Sequence, residues 1–219
     1  MKKLLLISFF AVVISGCLNY NQHIYLYPDG SGKMSVEYWM PLPDSTGAPF
    51  LARLGLFDAD SIRNEFSSPH STIENIKIFS DSTDSTIHAA IDLSFVHIDS
   101  LNETMAFSDA DFSLKDGAEG QKIFSQFIPP IATGFGIDGS KYFVKYIYTV
   151  SGEIITHNAH KEKKQTLTWN YSLSEIGSGK TISFTFRPFK LKETPYWIFF
   201  LSGAVLLIVI FFLFRKKKD

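Results

Sequence analysis

A few sets of residues in this 219-residue chain have types and spacings that could do chemistry. Cys17 is the single thiol, and Ser31-Gly32-Lys33 has the ending of a phosphate-binding loop. Asp58 with Asp60 and Asp109 with Asp111 are paired carboxylates, and His157 with His160 is a paired imidazole. Each is weighed by what its chemistry needs nearby. The upstream glycine of a phosphate loop falls on Tyr27, which excludes nucleotide binding there. Calcium wants further oxygen ligands and a glycine at set positions, where Phe112 and Leu114 stand; Asp60 is better used as a cap for a helix over 61–66. His157 and His160 run into Lys161-Glu162-Lys163-Lys164, a solvated turn with no third ligand. No nucleophile elbow, histidine metalloprotease helix or serine with an ordered base is present, so neither catalysis nor a cofactor is expected.

Cys17 has the most informative surroundings. Lys2 and Lys3, an apolar run from Leu4 to Ile14, and the small residues Ser15 and Gly16 are the three parts of an export signal. The order Ile14-Ser15-Gly16-Cys17 resembles the bacterial lipoprotein signal, in which an aliphatic residue and two small ones precede the cysteine. That resemblance implies removal of residues 1–16, with Cys17 as the new N-terminus carrying a palmitate-class lipid. With the thiol so used, the exported part has no disulfide, no thiol catalysis and no cysteine-ligated metal.

The other end reads as a membrane element. Residues 195–214 carry no charge and are closed by Arg215, Lys216, Lys217 and Lys218. At about 1.5 Å per residue that run makes a helix about 30 Å long, the thickness of a bilayer's hydrocarbon core. Pro195 suits a first helical turn, and Tyr196 and Trp197 suit the headgroup layer. The expected organisation is a signal over 1–16, a lipidated tether over 17–22 and an extracytoplasmic domain over 23–187. A linker over 188–194, a transmembrane helix over 195–214 and a cytoplasmic basic tail over 215–219 complete it. The chain is thus expected in the bacterial cytoplasmic (inner) membrane, crossing once, with its domain outside.

The overall charge of −1 hides a contrast. Setting aside Lys2, Lys3, Arg215, Lys216, Lys217, Lys218 and Asp219 leaves 15 basic and 21 acidic residues, about −6 for the exported part. That balance argues against nucleic acid and against general attraction to anionic headgroups. A lipid held by this domain is expected to be held by apolar contact.

Alternating apolar residues predict the elements. Ile24 and Leu26, then Met34, Val36, Tyr38 and Met40, flank Pro28-Asp29-Gly30-Ser31-Gly32 and predict a hairpin. Ile87, Ala89, Ile91, Leu93 and Phe95 mark one face of a strand, and Tyr142, Val144, Tyr146 and Tyr148 mark another that is expected to be central. Residues 152–160 read as irregular. The expected fold class is α+β, a mainly antiparallel sheet of about eight or nine strands with two short helices, plus the C-terminal transmembrane helix.

In order along the chain, several of these pieces resemble the LppM-type bacterial lipoproteins. They are Cys17, the strand Ile24 to Pro28, the turn Asp29-Gly30-Ser31-Gly32, the stretch Gly152-Glu153-Ile154-Ile155 to Asn158, Leu167-Thr168-Trp169-Asn170, and the apolar segment with its Arg215 to Lys218 tail. The resemblance implies an α+β domain and association with envelope lipid.

Two connections are too apolar for routine solvent loops: Phe50 to Phe57, and Phe127 to Ile137 with its prolines and glycines. Phe50, Leu54, Phe57, Phe127, Ile131 and Phe135 are the candidate contact residues. They either line a hydrophobic pocket for a lipid or other apolar ligand or form a patch for an envelope-assembly or secretion protein; the loop ending at Ile137 has the further readings of a lid folded over the end of the sheet or a segment dipping into the bilayer. A pocket requires a cavity and a partner site requires a flat exposed patch.

Overall fold

The computed structural model describes residues 18–42, 55–130, 139–189 and 196–214, with side chains of the last segment described from Trp197 to Phe211. The chain forms two compact units, Met1–Phe189 and Lys190–Asp219. The first contains all of the β-structure. Strand β1 (Asn19–Leu26) pairs antiparallel with β2 (Gly32–Pro41) in the expected hairpin. Its turn is fixed locally: Ser31 donates to Asp29 Oδ1 through its backbone N–H (3.0 Å) and its hydroxyl (2.7 Å), and Gly30 takes φ +88°. The strand starts earlier than expected. Asn19 to Gln22 belong to β1 rather than to a free tether, and Gln22 is 1% exposed.

The remaining strands are β3 (Ser71–Asp81), β4 (Thr86–Phe95), β5 (Ser113–Asp116), β6 (Lys122–Ile128) and β7 (Phe143–Val150). They are followed by β8 (Gly152–His157), β9 (Lys161–Lys163), β10 (Thr166–Ser172) and β11 (Lys180–Pro188). They form a seven-stranded sheet, β3-β4-β2-β1-β7-β10-β9, and a four-stranded one, β5-β6-β11-β8. Among the described residues the fold is therefore α+β with eleven strands in two sheets, not one sheet of eight or nine. Strand β7 is interior as expected, but it lies parallel to β1. Strands β8 and β9 occupy the stretch read as irregular; each ends its sheet and is largely exposed, so neither carries an alternating apolar face.

Helix α1 (Ala59–Phe66) is capped by Asp58, not Asp60: Asp58 Oδ1 accepts from the Ser61 backbone N–H at 2.9 Å and from its hydroxyl at 2.8 Å. Two 3₁₀ turns follow β4, at Ile98–Glu103 and Met105–Phe107. A further short helix, α2 (Leu173–Ile176), starts with a capping box between Ser172 and Glu175.

The core lies between the inner faces of the two sheets. Ile24, Leu26, Val36, Ile91, Tyr148 and Trp169 come from the larger sheet; Phe124, Ile182, Phe184 and Phe186 come from the smaller. Aromatic rings form a continuous path through it. Phe66 meets Phe107 (5.3 Å between centroids), Phe107 meets Phe112 (5.6 Å), and Phe112 leads through Phe124 (6.4 Å) to Phe184 (4.8 Å). Phe184 then touches Tyr148 and Trp169 of the opposite sheet.

The second unit contains α3 (Tyr196–Phe214), which begins where the apolar segment does. Among the described residues no helix is long and apolar enough to cross a membrane, so the expected span of 195–214 is not established by the fold.

Candidate ligand cavity

One end of the first unit holds a cavity of about 360 Å³. Its wall comes from the starts of β1 (Leu18, Tyr20, Gln22) and β7 (Val144, Tyr146), and from Leu173 of α2. The end of β6, from Gln126 to Pro129, and the segment Met105 to Ala110 supply the rest. Strand parity explains the grouping. Tyr20, Gln22, Ile24 and Leu26 share the inner face of β1, and Val144, Tyr146 and Tyr148 share that of β7 beside it. The Phe127 backbone N–H donates to Ala110 O at 2.6 Å, fastening the Met105 to Ala110 segment over β6. Met105, 67% exposed, and Ala106 stand at the mouth.

A neutral polar cluster lies inward of this apolar wall. Tyr20 OH donates to Gln22 Oε1 at 2.8 Å, and Gln22 Nε2 donates to Gln126 Oε1 and Tyr148 OH, each at 3.4 Å. Tyr148 OH in turn donates to Gln126 Oε1. Buried amides of this kind are costly unless bonded, and the bonds between β1, β6 and β7 meet part of their capacity. Burial first, then the neighbouring tyrosines, pushes the Tyr20 and Tyr148 phenols well up from their ordinary range; burial followed by Tyr171 does the same for Tyr146. The interior is therefore uncharged at neutral pH. Among the described residues Asp109 is the one acidic wall residue, and it is exposed.

The six expected contact residues have separate fates. Phe127 belongs to the wall, but its ring lies across Gly179, where an added Cβ would come within 2.4 Å of Cζ. Its neighbours Gln126 and Ile128, on the other parity of β6, are the buried ones. Phe57 packs elsewhere, 5.6 Å from the Tyr38 ring, while Tyr38 OH donates to Leu56 O at 2.5 Å. Phe50, Leu54, Ile131 and Phe135 lie outside the described residues, as does Cys17.

The other singled-out residues have local work. His157 pairs with Glu162 at 3.2 Å, and His160 Nδ1 accepts the Asn170 backbone N–H at 3.2 Å. Among the described residues no group of three or more His, Cys, Asp or Glu side chains is placed to hold a metal. Gln22 and Gln126 were missed by sequence reasoning. Each is a polar residue on an otherwise apolar parity, Gln22 with Ile24 and Leu26, Gln126 with Phe124 and Ile128, and that mismatch is a readable signal.

No family model matches the chain, and no curated protein matches it by sequence. Its fold is similar to that of the LppM folded domain of Mycobacterium tuberculosis, solved by NMR. The TM-score is 0.50 at 12% identity, over 80% of this chain and 93% of that one. The shared property is the fold: the chain has an LppM-like α+β architecture.

Proposed function

We propose that this protein is a membrane-tethered bacterial envelope lipoprotein, non-catalytic, whose exported domain holds a lipid or other apolar ligand in the cavity between β1, β6 and β7. In this reading the chain is exported, acylated on Cys17 and held again by a helix over 195–214, with the basic tail in the cytoplasm. The single observation that carries it is the cavity itself. Its 360 Å³ falls within the size range of small-molecule sites, and its wall is mainly apolar around a few neutral polar groups, the composition such sites use to bind and orient a ligand. Leu18 is part of that wall and directly follows Cys17, the residue that carries the lipid in this reading. The LppM-like fold agrees with the lipoprotein signal read in the sequence.

Two exposed positions at the mouth test this without disturbing the core. Met105→Asp puts a charge where an acyl chain would pass, and Ala106→Trp obstructs the opening. In titrations of the detergent-solubilised full chain with a lipid bearing a fluorescent acyl chain, Met105→Asp is expected to weaken binding by about tenfold or more, the cost of placing an ion against an apolar ligand. Ala106→Trp should also weaken it, while Ala118→Trp, in the β5–β6 turn, should not. Equal affinity in all three would remove the cavity as the site and favour a protein partner at another surface.

A further inference from the structure

The outer face of the seven-stranded sheet carries a second, more open groove of about 640 Å³, on the opposite side of β7 from the ligand cavity. Ile147, Thr166 and Thr168 line it, and Lys145, Lys161, Lys163 and Lys164 surround it, all four exposed. Register brings them together. Lys161 stands opposite Thr168, Lys163 opposite Thr166, and Thr168 and Asn170 opposite Ile147 and Lys145.

Among the described residues the charges there have no carboxylate partner. Lys33, Lys122 and Arg187 pair with Glu74, Asp116 and Glu153 at 3.1, 2.7 and 3.2 Å. Among the described residues none of the four groove lysines has such a carboxylate; Glu162, which alternates with Lys161 and Lys163, is engaged by His157. Burial first, and then the charge of Lys145, hold the His23 imidazole below its usual pKa.

Edge protection explains part of this arrangement. Strand β9 ends the sheet, and lysines on an edge discourage pairing with another chain. Lys145 is different, because β10 separates β7 from that edge. Ammonium groups round a strip of hydroxyls and methyls, with no carboxylate among them, form a receptor for anions. In an exported part of charge about −6 it is a local feature and not the tail of a general positive field.

Its position selects the anion. Gln165 O accepts from the Val150 N–H at 3.0 Å, and Ser151 O accepts from the Phe189 N–H at 3.2 Å. One end of the groove therefore adjoins the strand end from which the chain leaves the first unit toward the apolar segment, through a Phe189 that is 53% exposed. We propose that this groove docks on the phosphate headgroups of an anionic bilayer, a second lipid contact independent of what the cavity holds. It rests on the reading of the chain as membrane-held, not on occupancy of the cavity.

The test uses the full chain in nanodiscs of phosphatidylcholine alone or with added phosphatidylglycerol, and mass-spectrometric lysine acylation. Co-elution with the disc reports membrane insertion separately from docking. Labelling of Lys145, Lys161, Lys163 and Lys164 is expected to slow about fivefold in the anionic disc, the attraction of one lysine to such a surface, and to recover in high salt. Lys115, on β5 of the other sheet, should label equally in both discs. Lys145→Gln should partly restore labelling of the other three. Equal labelling in the two discs, or an unchanged pattern in Lys145→Gln, would overturn the proposal and leave edge protection. Protection by inorganic phosphate in neutral discs would assign the groove to a free anion and overturn bilayer docking. Failure to co-elute would remove the membrane reading and this docking with it.

Discussion

Replacing Phe184 by alanine is expected to destabilise the first unit by about 3–5 kcal/mol, the range for removing a buried phenylalanine. Phe184 is 2% exposed and joins the two sheets: its ring lies 4.8 Å from Phe124, 5.5 Å from Tyr148 and 6.2 Å from Trp169. Alanine removes the ring while leaving β11 paired with β6 and β8, so the cavity formed has aromatic walls on both sides and little means of collapse. Urea titration of the detergent-solubilised full chain, followed by tryptophan fluorescence, measures the loss. Phe184→Leu, which keeps most of the apolar volume, should lose much less. A Phe184→Ala midpoint close to the parent's would show that the rings do not hold the sheets together.

Gly32→Ala has the next largest expected effect, about 1–3 kcal/mol or more, the usual range for overpacking. Here the constraint is space and not left-handed backbone, because the positive φ of the turn belongs to Gly30. A Cβ on Gly32 would stand 2.2 Å from Tyr25 O and 2.6 Å from Phe95 Cζ. The first is backbone of the paired strand and cannot move without opening the β1–β2 ladder. Gly120→Ala is the informative comparison. It takes φ +72° with nothing within 4 Å of the added atom, so it should show only the left-handed cost of about 1 kcal/mol. The same urea titration reads both. If Gly32→Ala costs no more than Gly120→Ala, the close approach at the hairpin is not a constraint.

These two substitutions also show what was legible in the sequence. The hairpin, the apolar face from Ile87 to Phe95 and the interior place of β7 follow from alternation, because a half-buried strand must repeat every second residue. The division into two sheets does not. Phe124 and Phe184 alternate as well as Ile91 does, and periodicity does not say which layer a strand joins. The parallel β1–β7 pair likewise depends on the whole path of the chain. Exposed strands β8 and β9 carried no periodic signal, whereas α2 had one in Ser172 and Glu175 that was passed over.

The candidate site was less legible for a related reason. The apolar loops were the conspicuous feature, yet the described cavity wall is shared among the segment Met105 to Ala110, the end of β6, and the starts of β1 (Tyr20, Gln22) and β7 (Val144, Tyr146). Phe127 was chosen for its apolarity, and the adjacent parity holds the buried residues. Gln22 continues the parity of Tyr20 and Ile24, so it belongs to β1 and not to the expected tether. The mean charge concealed the basic groove, since Lys145 joins the run Lys161 to Lys164 only once β7, β10 and β9 are paired.

The central claim is that the cavity between β1, β6 and β7 holds a lipid. The most direct measurement is native mass spectrometry with lipid extraction on the full chain purified from its membrane, alongside the Ala106→Trp variant. The account predicts a co-purified lipid in near-stoichiometric amount with the parent and its loss from the folded variant. Parent protein free of bound lipid, or the same lipid retained in equal amount by Ala106→Trp, would contradict it.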